Sequence, residues 1–250
     1  LQFAKQHCIM QFSSATCASC PIMTGAIDDL VAAKPGRAVP IVFHVRKHCF
    51  NYPALYGVVA DMADALCPVW PSALVDMHTK VNVYRTATGE KLNEAIWIMN
   101  SYAPAQSGIA LRSTLEGGVI RLTADVLANK AGEYRFFAFV VEDGVKHGQR
   151  IASGEDGINL NYIHNHVATY PLTATGDART GLSLGNLESG RKVTRTYTID
   201  TRAYTLQRTV DLNHCRIVAY TLRPVNGSYV IDNVATCSVD GGSVGFRYTK

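Results

Sequence analysis

Cys17-Ala18-Ser19-Cys20 is the segment of this chain with the clearest chemical potential. It follows the short apolar run Gln6 to Phe12, which reads as a strand. It precedes Pro21, Met23, Ala26, Ile27 and Leu30, the i, i+3, i+4, i+7 stripe of an amphipathic helix. Pro21 suits the first turn of that helix. A thiol at a helix N-terminus meets free N–H groups and the positive end of the helix dipole, both of which favour thiolate. The spacing therefore points to a redox dithiol, with Cys17 the exposed nucleophile and Cys20 the more buried resolving thiol. A small structural disulfide uses the same pair. Zinc sites use the same spacing, but they require a second ligand pair, which His44, His48 and Cys49 do not form.

A second candidate is His164-Asn165-His166. In a strand, residues i and i+2 share a face, so both imidazoles and Tyr162 are expected to point the same way. That suits a metal pair, although no third ligand is evident nearby, and a structural pair at a domain boundary is the preferred reading. Among the remaining cysteines, Cys215 and Cys237 flank the turn signal Asn226-Gly227. A loop of Val225-Asn226-Gly227 sets Cys215 directly opposite Cys237, within disulfide reach, whereas a two-residue loop puts them on opposite faces. Cys8, in an apolar strand, reads as a buried inert thiol. Cys49 and Cys67 bracket a helix, and their pairing is left open.

The elements that position these residues fall into two groups. Strands and helices alternate up to about residue 103: a strand over Ala38–Val45, a helix over Pro53–Leu66, strands over Ser72–Asp76 and Val81–Tyr84, and a helix over Gly89–Asn100. The order is β-α-β-α-β-β-α. Ser101–Gly108 reads as a linker. Beyond it, Ile120, Leu122, Ala124 and Val126 alternate with polar residues, Tyr134–Val141 is apolar on both faces, and Val193–Ile199, His214–Leu222 and Tyr229–Cys237 add strands. Short strands with regular turn signals predict a β-sandwich over residues 104–250, after an α/β domain over residues 1–103.

The first domain resembles thioredoxin-like proteins across roughly residues 5 to 100. The whole chain resembles the outer-membrane-protein-28-related family of bacterial cell-envelope proteins. The residues that carry this are Cys17-Ala18-Ser19-Cys20-Pro21, Trp70-Pro71-Ser72, Val141-Glu142-Asp143-Gly144-Val145 and Tyr162-Ile163-His164-Asn165-His166-Val167. The resemblance implies a thioredoxin-like half followed by a β-rich half. It implies a cis Trp70–Pro71 bond beside the dithiol, with Pro71 part of the catalytic site and Trp70 against the substrate; X-Pro bonds are the ones that are cheaply cis. It also implies export to the periplasm or outer membrane. The chain departs from active thioredoxins in three ways. Ala15-Thr16, with no tryptophan, precedes Cys17; Ala18-Ser19 stands between the cysteines; and Asp28 and Asp29 read as surface residues, so no buried carboxylate is placed.

Composition narrows the function classes. Of 250 residues, 47% are hydrophobic and 18% charged, which is globular; the net charge of +4 comes without a Lys/Arg run, so no nucleic-acid face is expected. No 18-residue apolar segment is present, so no transmembrane span is expected. Leu1 is not a methionine, which is compatible with removal of a leader; a lipid anchor upstream of residue 1 is left open. No cofactor is expected. The expected function is weak thiol–disulfide exchange with protein thiols and disulfides in the cell envelope. The alternative is a non-enzymatic envelope or surface binding protein that uses the β-sandwich and keeps the thioredoxin-like half as scaffold.

Overall fold

A computed structural model describes residues 2–45, 53–67, 69–82, 88–151, 157–174, 178–204 and 208–250. Strand β1 (His7–Ser13) is wholly buried, with Cys8, Met10 and Phe12 on one face and Ile9 among the polar residues His7, Gln11 and Ser13 on the other. It leads into helix α1 (Cys20–Ala33), then β2 (Ala38–His44), α2 (Pro53–Leu66), the hairpin β3 (Ser72–Val75) and β4 (Thr79–Asn82), and α3 (Thr88–Asn100). β1 lies parallel to β2 and antiparallel to β3, with Phe12 opposite Ser72. Helices α1 and α3 cover one face of this sheet through Met23, Ile27, Leu30, Leu92, Ile96 and Met99, which pack on Ile9, Ala73 and Val75. Helix α2 packs its Leu55, Val58, Val59 and Met62 into the core on the other face.

After residue 103 the regular structure of the described residues is almost entirely strand. The strands are β5 (Ser107–Glu116), β6 (Val119–Ala128), β7 (Gly132–Glu142), the short β8 (Val145–Lys146), β9 (Gln149–Arg150), β10 (Ile158–Asn159) and β11 (Ile163–His164), then β12 (Val167–Pro171), β13 (Leu182–Leu187), β14 (Lys192–Asp200), β15 (Cys215–Val225), β16 (Ser228–Ser238) and β17 (Ser243–Val244). The helical segments there, among the described residues, are single 3₁₀ turns at Thr201–Ala203 and Leu212–His214. The expected alternation holds: Ile120, Leu122, Ala124 and Val126 are all buried. They belong to a four-stranded sheet, β14-β6-β5-β17, that faces the larger sheet across one apolar core to form the β-sandwich.

The larger sheet does not stop where the element content changes. Its order is β16-β15-β7-β12-β2-β1-β3-β4, with β13 also on β7, and the join is a parallel contact between Val167 of β12 and Val42 of β2. The dithiol therefore leaves a sheet to which both halves of the chain contribute.

Candidate functional site

At the end of β1 the chain turns through Ser14-Ala15-Thr16, and the Cys17 N–H closes the turn onto the Ser14 carbonyl at 3.0 Å. The Cys20 N–H donates to the Cys17 carbonyl at 3.3 Å, and α1 begins at Cys20 with Pro21 in its first turn. Two turns in succession leave the cysteine Cα atoms 5.4 Å apart, and the thiols are joined as a disulfide. Cys17 is half-buried and Cys20 is 1% exposed. The Ser19 side chain makes no capping bond to the helix. The Trp70–Pro71 bond is cis. Pro71 is buried and immediately precedes Ser72, so the register sets it beside the end of β1 from which the cysteine loop departs. Trp70 is half-buried and packs on the core.

Two glutamines that sequence reasoning missed hold this loop. Beneath it, fully buried Gln11 donates from Nε2 to the Cys20 carbonyl at 3.3 Å and to Thr24 Oγ1 at 3.1 Å, while Thr24 Oγ1 lies 3.2 Å from both Gln11 Oε1 and the Cys20 carbonyl. The group beneath the loop is thus a neutral amide, which neither takes nor releases a proton. Gln11 was detectable as an amide between the apolar residues Met10 and Phe12. Above the loop, buried Gln149 of β9 donates from Nε2 to the carbonyls of Cys17 (2.9 Å), Ser14 (3.3 Å) and Arg150 (2.9 Å). The Arg150 N–H adds a bond to the Ala15 carbonyl at 2.8 Å. No local pattern signals this contact, which spans 132 residues. Replacing Gln149 with alanine removes the side-chain bonds to the Cys17 and Ser14 carbonyls, which keep their turn N–H partners, at a net cost of about 0.5–1.5 kcal/mol for each bond lost. Calorimetry is expected to show a lower melting temperature for Gln149→Ala, and a melting temperature equal to wild type would show that the clasp does not hold.

The two histidines do not share a face. His166 takes φ 60°, which breaks the strand alternation after β11. His164 packs edge-on to His44, with ring centroids 5.2 Å apart, and against Tyr162 at 4.7 Å. His166 instead faces Asp28 Oδ1 of α1 at 3.2 Å and accepts from Arg216 Nη2 at 2.7 Å. Among the described residues no group of three His, Cys, Asp or Glu side chains is placed to hold a metal ion. His48 and Cys49 lie outside the described residues.

Burial pushes the His164 imidazole down to about 4, and burial, with His164 next in weight, pushes His44 well below the usual histidine range. Because the folded state holds both rings neutral, the unfolded chain binds more protons below an ordinary histidine pKa of about 6.5. Their contribution is whole above about pH 6.5 and is lost as pH falls toward about 4. The melting temperature is expected to fall steeply over that range in wild type and less steeply in His164→Phe, which has no proton to take. Equal slopes would rule out His164 as a source of the acid sensitivity.

The Cys215–Cys237 disulfide expected from the hairpin does not form. The turn is the two-residue Asn226-Gly227, with φ of 50° and 79° and Val225 opposite Ser228. A bulge between Thr221 and Leu222 then shifts the register again, so Cys237 faces Ile217. Cys215 is left on the diagonal, a separation of about 7–8 Å that exceeds disulfide reach. Both are buried free thiols; burial pushes Cys237 up to about 11 and Cys215 higher still. Cys8 and Cys67 are likewise buried and free, and burial raises both.

Taken with the β-sandwich, these features define a β-rich protein with a disulfide at the end of a central strand of a shared sheet. The chain belongs to the outer membrane protein Omp28 family, whose profile matches residues 68–240, and this gives it a cell-envelope or outer-membrane setting. No helix among the described residues is long and apolar enough to cross a membrane. No curated protein matches the sequence. In fold the chain is similar to HBP35 of Porphyromonas gingivalis, at 16% identity and a TM-score of 0.75 over 95% of this chain and 76% of that one. It is also similar to a structural-genomics target protein of Agrobacterium tumefaciens, at 12% identity and a TM-score of 0.57 over 98% and 99% of the two chains.

Proposed function

We propose that this chain is an envelope thiol–disulfide exchange protein whose first 103 residues have a thioredoxin-like architecture and carry the chemistry, while residues 104–250 hold the cysteine loop in place. The observation that carries this reading is the Cys17–Cys20 disulfide at the N-terminus of α1, with Cys17 reachable and Cys20 buried. The β-α-β-α-β-β-α order, the parallel β1–β2 pair, the antiparallel β3–β4 hairpin and the cis Trp70–Pro71 beside the end of β1 support it. An envelope setting supports it as well, because disulfides persist outside the reducing cytosol.

In the reduced protein the Cys17 thiolate attacks one sulfur of a partner disulfide, and the other partner sulfur leaves with the electron pair and takes a proton. Cys20, deprotonated, then attacks Cys17 Sγ. The protein disulfide re-forms and the second partner thiol departs, so two electrons and two protons pass to the partner. The reverse sequence oxidises a partner dithiol. The neutral Gln11 amide beneath Cys20 offers no base for its deprotonation, which supports slow exchange.

That same feature favours the second reading, a binding protein in which the disulfide staples the start of α1. The reduction potential of Cys17–Cys20 separates the two. Equilibration against glutathione is expected to give a value within the span of exchange proteins, about −270 to −120 mV. A value below about −300 mV belongs to a structural bond and would favour the binding protein.

A further inference from the structure

Strand β14 is the outermost strand of the four-stranded sheet, and its nine residues pair with β6 without a bulge. The bonds one residue past each end, from the Ala128 N–H to the Arg191 carbonyl and from the Thr201 N–H to the Gly118 carbonyl, fix which backbone groups β6 takes. In an antiparallel pair the N–H and C=O of one residue point to the same side, and the side alternates along the strand. The odd-numbered residues of β14 therefore bond β6. The even-numbered ones, Lys192, Thr194, Thr196, Thr198 and Asp200, turn their N–H and C=O outward. Among the described residues one group bonds this edge, the Arg195 guanidinium on the Thr194 carbonyl at 3.0 Å. An open edge of this length is a template for a further strand, and proteins usually blunt it by brevity, a bulge or a cover. The other edges of the two large sheets are blunted in this way. β4 and β17 have four and two residues, β13 is bulged, and Lys5 and Asp76 bond the edge of β16.

The side chains of β14 select the occupant, because the strand is complementary to itself. Turned antiparallel about Thr196, Lys192 meets Asp200, Val193 meets Ile199, Thr194 meets Thr198 and Arg195 meets Tyr197. The faces agree as well. Thr194 and Thr196 bond Asp125 and Thr123 on the solvent face of the sheet, which Lys192 and Asp200 share, while Val193 and Tyr197 pack toward the core. Lys192 is exposed and has no acidic partner among the described residues; Asp200 holds Arg202 of its own chain and is still 41% exposed. A register shifted by two residues loses both Lys192–Asp200 pairs, and an in-register parallel pairing sets Lys192 beside Lys192. We propose that β14 is a dimer interface: it pairs with β14 of a second copy of the chain, antiparallel about a two-fold axis through Thr196, and joins two four-stranded sheets into one. A two-fold contact is self-complementary in this way. Thr196 exchanges both backbone bonds with its counterpart, and each Thr194–Thr198 and Lys192–Asp200 pair does the same. Opposite charges facing each other across strands add to the pairing. The dimer owes nothing to the dithiol and forms whether or not Cys17 and Cys20 exchange disulfides.

Sedimentation velocity on the full chain is expected to show a dimer that dissociates on dilution. Thr196→Pro removes an N–H that bonds nothing within one copy, and proline is tolerated in an edge strand on its open side. The variant is expected to sediment as a monomer at every concentration with the far-UV circular dichroism of wild type. Lys192→Glu changes one exposed side chain and sets two carboxylates together at each end of the interface. It is expected to weaken the dimer about tenfold, and it decides the matter if the proline disturbs the fold. The register is read by cross-linking. Thr196→Cys sets two thiols opposite each other with Cα atoms about 5.5 Å apart, within disulfide reach, so the oxidised variant should run as a covalent dimer. Thr194→Cys lies opposite Thr198 and should cross-link no more than wild type. A wild-type chain that stays monomeric would overturn the proposal. So would a dimer that Lys192→Glu leaves as tight as wild type, or one that Thr194→Cys cross-links and Thr196→Cys does not.

Discussion

Replacing Asp76 with alanine is expected to lower the free energy of unfolding by about 3–5 kcal/mol, the cost of removing one partner from a buried charge cluster. Asp76 is fully buried in the turn between β3 and β4, where it takes φ 53°. Its Oδ1 accepts the Cys8 N–H at 2.8 Å, and its Oδ2 lies 2.7 Å from His7 Nδ1 and 3.3 Å from Lys5 Nζ. Lys5 in turn donates to the carbonyls of Ile231 and Asp232 in β16, and the Ile231 N–H returns a bond to the Asp76 carbonyl. One carboxylate thus ties the strand that carries the dithiol to its own hairpin and to the β-rich half. Without it, the Cys8 N–H is left buried with its acceptor gone, and the Lys5 ammonium keeps its two carbonyls but loses its counter-charge. Urea unfolding measures the effect. Asp76→Asn, which keeps the size and one acceptor, is expected to lose less than Asp76→Ala. A loss below about 1 kcal/mol in the alanine variant would show that the cluster does not stabilise the fold.

The second large effect concerns Cys20. On the proposed exchange mechanism its replacement by serine removes the resolving thiol, so Cys17 is expected to stay covalently joined to its partner. With a reduced Cys20→Ser protein and an oxidised protein substrate, a stable adduct that dithiothreitol releases should accumulate on non-reducing gels. Cys17→Ser, which keeps only the buried thiol, should form none. The asymmetry follows from exposure: Cys20 is 1% exposed, and a partner sulfur reaches Cys17 first. Adducts in equal amount from the two variants would remove the distinction between attacking and resolving thiols.

Much of this arrangement was legible because it is local. The stripe at Met23, Ile27 and Leu30 places α1 on its sheet, the alternation from Ile120 to Val126 places an inward face, and the CxxC falls at the junction between the run Gln6–Phe12 and the α1 stripe. What escaped depends on geometry with no local sign. The two-residue turn and then a bulge at Thr221/Leu222 move Cys215 out of register with Cys237, and nothing in Thr221 or Leu222 announces the bulge. A positive φ at His166 turns its ring away from His164. Gln149 and Asp76 act on residues 132 and 68 positions away, and such contacts exist only once the sheet has assembled. The continuity of the sheet through Val42 and Val167 is likewise a long-range pairing between strands that each look complete alone.

Reduction of insulin by dithiothreitol, with and without the purified chain, tests the central claim most directly. Wild type is expected to shorten the lag before the insulin chains precipitate, slowly compared with an efficient reductase because Gln11 supplies no base at Cys20. Cys17→Ser is expected to leave the lag at its uncatalysed value. If wild type and Cys17→Ser give the same trace, the Cys17–Cys20 bond is a structural staple, and the chain acts through its β-rich half as a binding protein.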